Sequence, residues 1–99
     1  MTQLIAGYSF HGPYFDARFL PLSSGVYVIT DSRMQVLDVG ESENLADRVA
    51  NHDRSSCWAR NASGPIGAWV LSMPGSSTDS RRSVERAVRF QTSPTCGAR

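Results

Sequence analysis

Three short runs rich in apolar and β-branched residues read as strands, and two other segments carry apolar residues at a helical period. Val26, Tyr27, Val28, Ile29 and Thr30 form a β-branched run after Ser23-Ser24-Gly25, the pattern of a strand start. Residues 36–40 form a second run, and the polar stretch 31–35 between them is short enough to predict an antiparallel hairpin. A third strand is expected over 66–73. Ile66, Ala68 and Val70 lie on one face of it and Trp69, Leu71 and Met73 on the other, so it should be covered on both sides.

The period then lengthens. Leu45 and Val49, four apart, give the buried stripe of a helix ending near His52, with Ser42 as its expected N-cap and Glu43 and Asp47 favouring the helix dipole. Val84, Ala87, Val88 and Gln91 mark a second helix over 80–91, with Arg82, Arg86 and Arg89 expected to face out. Residues 53–65 read as a loop whose Cys57-Trp58-Ala59 tucks into the core. The aromatics Tyr8, Phe10, Tyr14, Phe15 and Phe19, broken by His11-Gly12-Pro13, suit an irregular arm over 1–22 that covers the core, with at most a short edge strand at 7–10. The expected fold is therefore α/β of the α+β kind: a small three-stranded antiparallel sheet flanked by helices, with the arm packed on a domain at 23–99.

Composition narrows the class. A chain of 99 residues with 40% apolar content supports one domain with one core, which buries roughly two-thirds of its unfolded surface. The net charge of +1 gives no strong global field toward nucleic acid or membrane. Every positive side chain is arginine, the planar partner of phosphate and carboxylate. No run approaches the ~20 apolar residues of a membrane span, and residues 1–7 lack a signal-peptide pattern, so a cytoplasmic protein without membrane contact is expected. Cys57 and Cys96 can pair, but in that setting free thiols are the expectation. With His11 and His52 they lack the close ligand pair of a zinc site.

Gly25-Val26-Tyr27, then Asp38-Val39-Gly40, then Asn44-Leu45, Arg48 and His52, then Glu85 and Ser93-Pro94-Thr95-Cys96-Gly97 occur in an order and spacing that resembles the GIY-YIG nuclease superfamily. With Gly12-Pro13-Tyr14 and Cys57-Trp58, the chain looks most like a small stand-alone bacterial subfamily. The resemblance implies a Mg²⁺- or Mn²⁺-dependent endonuclease acting on nucleic acid, DNA more than RNA.

Phosphodiester hydrolysis needs a base near the attacking water, positive charge on the transition state and neutralisation of the leaving oxygen. By resemblance, Tyr27 approaches the water, Arg48 engages phosphate oxygens, His52 relays a proton or orients phosphate, and Glu85 holds the metal. A free phenol has a pKa near ~10, so cations must depress it before it acts as a base. Glu85 has Arg81 and Arg89 four residues away on either side, so a row of surface ion pairs is its bland alternative. Arg48, Arg54, Arg81, Arg82 and Arg89 are the candidate phosphate contacts. With no basic tail or zinc finger, binding by this domain should be weak and salt-sensitive.

Asp38 departs from the family pattern, standing where the second motif has tyrosine. It can be a second metal ligand, a partner fixing Arg48, or a mark of lost activity. The alternative function is accordingly a catalytically impaired binding or interaction module on the same fold.

Overall fold

A computed structural model of the chain describes residues 1–97. Its centre is a single antiparallel sheet. Strands β1 (Thr2–Ile5), β2 (Tyr8–Tyr14), β3 (Gly25–Thr30), β4 (Val36–Ser42) and β5 (Gly67–Ser72) lie in the order β1-β2-β5-β3-β4. Helices α1 (Leu45–Ala50), α2 (Ser55–Asn61) and α3 (Thr78–Thr92) surround it, with a 3₁₀ turn at Ala17–Phe19.

The three expected strands are present and the expected number is too small. Residues 1–22 are not an irregular arm: they contribute the hairpin β1–β2, which extends the sheet through β2–β5 pairing. Ala6 and Gly7 make its turn with φ of 53° and 85°, the two positive values that a tight hairpin loop needs. Alanine in that conformation carries little sequence signal. Pro13 falls where the β2–β5 register shifts, a place where a strand tolerates the missing donor. The core-covering role fails for part of the aromatic set. Phe10 is fully buried, whereas Phe15 and Phe19 are 69% and 72% exposed.

The two sheet faces carry separate cores. Tyr27, Ile29, Leu37, Ala68 and Val70 pack with Leu45 and Ala46 of α1, Trp58 of α2 and Cys96. Val26, Val28, Val39 and Trp69 pack with Phe10 and with Val88 of α3. The split of β5 thus follows the alternation in its sequence. Between β3 and β4 the register shifts, because Ile29 pairs with Asp38 and Thr30 with Val36. The extra residue lets sequence neighbours Leu37 and Asp38 both be fully buried.

The helix boundaries also differ from expectation. Asn44, not Ser42, caps α1 by accepting from the Asp47 N–H, while Ser42 Oγ holds the Asn44 N–H one step earlier. Helix α1 ends at Ala50, so His52 lies beyond it in the turn into α2. The expected loop at 53–65 contains α2, whose Trp58 is buried. Arg89 does not face out; its side chain is 11% exposed.

The cysteines are not free thiols. Cys57 of α2 and Cys96, just past α3, form a disulfide across 39 residues. Among the described residues, no helix is long and apolar enough to cross a membrane.

Candidate functional site

Glycine sets the geometry around Tyr27. Tyr27 and Gly40 are paired neighbours on β3 and β4, and the phenol ring lies across Gly40. A Cβ added there would stand 2.1 Å from the Tyr27 hydroxyl oxygen and 2.3 Å from its Cζ. The glycine of the second motif is therefore the space that the tyrosine of the first one fills.

With its ring seated there, Tyr27 brings its hydroxyl 2.6 Å from His52 Nε2. His52 Nδ1 accepts the backbone N–H of Arg54 at 3.0 Å. That bond places the proton of a neutral imidazole on Nε2, so His52 donates to the phenolic oxygen and the tyrosine's own proton points elsewhere. Both groups are buried, Tyr27 to 1% exposure. Burial lowers the His52 pKa to about 4, Arg48 and Arg54 adding to the effect and Asp38 and Asp53 opposing it. Burial also pushes the Tyr27 phenol up to about 12 against the charges of Arg48 and Arg54. In this state the pair is neutral across the physiological range.

Arg48 comes from α1. Its Nη2 bonds Asp53 Oδ1 at 3.1 Å, and its charge acts on both Tyr27 and His52. It is partly exposed, so an incoming anion meets it before the buried phenol.

Asp38 is the hub of the site. Its Oδ2 accepts from Arg54 Nε and from Trp58 Nε1, each at 2.8 Å. Its Oδ1 accepts from Arg89 Nη2 at 2.8 Å and from the Val39 N–H at 2.9 Å. Burial raises its pKa, but the hydrogen bonds from Arg54 and Trp58 outweigh that and hold it below the ordinary carboxylate value. Of the roles open for Asp38, the structure fits a charge-pairing one, with different partners: Asp38 fixes Arg54 and Arg89, not Arg48. Both its oxygens accept hydrogen bonds and it is 0% exposed.

Glu85 lies at the other end of this network, with Oε2 3.6 Å from Arg89 Nε. Burial raises its pKa; the charge of Glu41 adds to that, while Arg89 and Arg54 oppose it. Arg54 thus acts on both Tyr27 and Glu85, linking the two ends of the site around the β4 edge. Among the described residues, no three His, Cys, Asp or Glu side chains are grouped as a metal cage. Glu85 is thus a single partly buried carboxylate between Arg89 and Glu41, and Glu41 is itself paired with Arg81 and Arg82.

The remaining arginines divide. Arg81 is buried, with Nε 2.8 Å from Glu41 Oε1 and Nη1 2.6 Å from the Ser76 carbonyl. Arg82 is exposed, with Nε 3.7 Å from Glu41 Oε2. Two clefts of about 270 Å³ and 190 Å³ flank Phe15, and neither is lined by Tyr27, Arg48, His52 or Glu85.

The structure therefore brings Tyr27, Arg48, His52, Asp38 and Glu85 into one network, and it adds Trp58 and Arg89 as Asp38 partners that sequence reasoning missed. Arg54 and Trp58 are four apart, a spacing that puts both on one side of the start of α2. That spacing was the available signal. Compared with known proteins, the chain matches no family model and no curated protein at a significant level.

Proposed function

We propose that this protein is a cytoplasmic, Mg²⁺- or Mn²⁺-dependent nuclease of GIY-YIG type that hydrolyses phosphodiester bonds, in DNA more than in RNA. The observation that carries the reading is the 2.6 Å Tyr27–His52 hydrogen bond under the charge of Arg48. In this reading Arg48 meets the phosphate with its guanidinium fork. His52 Nε2–H stabilises the phenolate of Tyr27, which takes a proton from the attacking water. Arg48 and Arg54 lower the cost of that phenolate, and Arg82 is an exposed cation for the flanking backbone. Glu85 would hold the divalent ion, which when bound neutralises charge at the leaving oxygen.

Plasmid, branched and single-stranded substrates incubated with the full chain test this. Cleavage should require Mg²⁺ or Mn²⁺ and be lost in EDTA, in Glu85→Ala and in Tyr27→Phe. Equal cleavage by wild type and Glu85→Ala would falsify the reading.

One observation favours a second reading, a nucleic-acid-binding or protein-interaction module without catalysis. Tyr27, His52 and Asp38 are all buried, so no substrate reaches the phenol without movement. That reading predicts nucleic-acid affinity unchanged by Glu85→Ala and no cleavage by any variant.

A further inference from the structure

Asp38 has two covers, and a covalent bond ties them together. One cover is α2: Trp58 donates its indole N–H to Asp38 Oδ2, and Cys57 precedes it. The other is the segment 94–97. A Cβ added at Gly97 would stand 2.9 Å from both terminal nitrogens of Arg89 and 3.0 Å from Asp38 Oδ1, so its backbone sits directly on the Asp38–Arg89 pair. Gly97 holds φ +92°, a conformation that other residues rarely adopt. The Cys57–Cys96 disulfide joins these two covers.

Noncovalent contacts also hold 94–97 to the β4 edge. The Cys96 N–H bonds the Leu37 carbonyl at 2.7 Å and the Thr95 N–H bonds the Val36 carbonyl at 3.3 Å. Gln35 Nε2 reaches Thr95 Oγ1 at 3.0 Å, and Arg89 Nη1 reaches the Cys96 carbonyl at 3.3 Å. The segment follows the left-handed Ser93 that ends α3, so it is not part of the helix. Helix α2 has seven residues and no side-chain N-cap bond. Neither cover is a strand of the sheet, and Trp58 and Cys96 both pack in the core against Tyr27 and Ile29.

We propose that the Cys57–Cys96 disulfide is a redox-operated clamp: oxidised, it holds 94–97 closed over the Asp38–Arg89 pair, and reduced by a dithiol, it releases that segment and opens the pair to solvent. Cys57 is partly exposed and Cys96 is 2% exposed, so the reductant reaches the Cys57 sulfur first. A reductant thiolate attacks Cys57 Sγ, the S–S bond breaks, and Cys96 leaves as a thiolate that takes a proton. The second reductant thiol then displaces Cys57 as a thiol. Two electrons pass to the protein and the reductant is left as its own disulfide. The proposal concerns access to Asp38 and stands apart from any phosphodiester chemistry.

The full chain is compared in oxidised and reduced dithiothreitol by NMR, with a soluble neutral gadolinium chelate reporting solvent access. On reduction, relaxation enhancement at the Cys96 amide and the Trp58 indole N–H should rise at least twofold, while β3 and β5 amides keep their shifts and their low enhancement. Cys57→Ser should give the reduced pattern in either buffer. The proposal is overturned if the two reporters do not change, if the bond resists 10 mM dithiothreitol, if the whole spectrum collapses on reduction, or if Cys57→Ser keeps the oxidised pattern.

Discussion

Arg89 of α3 places Nη2 2.8 Å from Asp38 Oδ1 of β4 and also bonds the Val39 carbonyl, so a helix residue closes the polar edge of the sheet from 51 positions away. Arg54, the residue that precedes α2, donates Nε to the other oxygen and Nη2 to Oδ1. One buried carboxylate therefore balances two guanidiniums, and breaking such a buried set leaves uncompensated charge.

Asp38→Asn keeps the shape and removes the charge. The expected loss is about 3–5 kcal/mol, the usual cost of breaking a buried ion pair from one side. Urea unfolding of wild type and variant measures it. Asp38→Tyr should be worse, because position 38 is 0% exposed and its surroundings are filled by Arg54, Trp58 and Arg89. A folded Asp38→Tyr with wild-type stability would contradict the packing described.

Gly40→Ala tests the seat of the phenol. The added methyl must displace the Tyr27 ring, at an expected cost of about 1–3 kcal/mol for overpacking. The same shift breaks the Tyr27–His52 hydrogen bond, so the His52 ring resonances should move as well. Unchanged His52 shifts would show that the ring has another place to sit.

Protonation of His52 should make stability fall in acid. Its folded pKa is depressed to about 4 from an ordinary 6.5, so the unfolded chain binds this proton more readily. The stabilisation is fully present above pH 6.5 and is lost as pH falls through 4, a change of about 3 kcal/mol from this group. Asp38, whose pKa is also lowered, acts in the same direction at still lower pH, and Glu85, whose pKa is raised, acts in the opposite one. Thermal unfolding of wild type and His52→Gln between pH 7 and 4 checks the sign: the slope in this window should be shallower in the variant.

Tyr27 should ionise late. Its phenol is pushed up to about 12, so the tyrosinate absorbance lost in Tyr27→Phe should belong to the high-pH end of the titration. Stability due to this group is present below pH 10 and falls as pH rises from there through 12, because the unfolded phenol releases its proton first. A Tyr27 signal below pH 10 in the free protein would mean that Arg48 and Arg54 outweigh burial.

Local pattern alone determined the β3–β4 hairpin, β5 with its two apolar faces, and α3, because short apolar runs bounded by turn residues and a 3.6-residue period are both local signals. The grouping of Tyr27, Arg48, His52, Asp38 and Glu85 came from a resemblance in motif order and not from local pattern. Local pattern did not determine the β1–β2 hairpin, since Ala6 at positive φ and Pro13 inside a strand are tolerated only by the pairing around them. The fates of the charges were equally out of reach. Arg81, Arg82, Arg86 and Arg89 share one helix, yet Arg81 pairs with Glu41 and Arg89 with Asp38 because α3 lies against β4, while Arg86 is exposed. Likewise Cys57 and Cys96 become a disulfide only because α2 and the end of α3 meet over the same carboxylate. A charge or thiol has no intrinsic partner in sequence; its partner is whatever the packed sheet brings within a few ångströms.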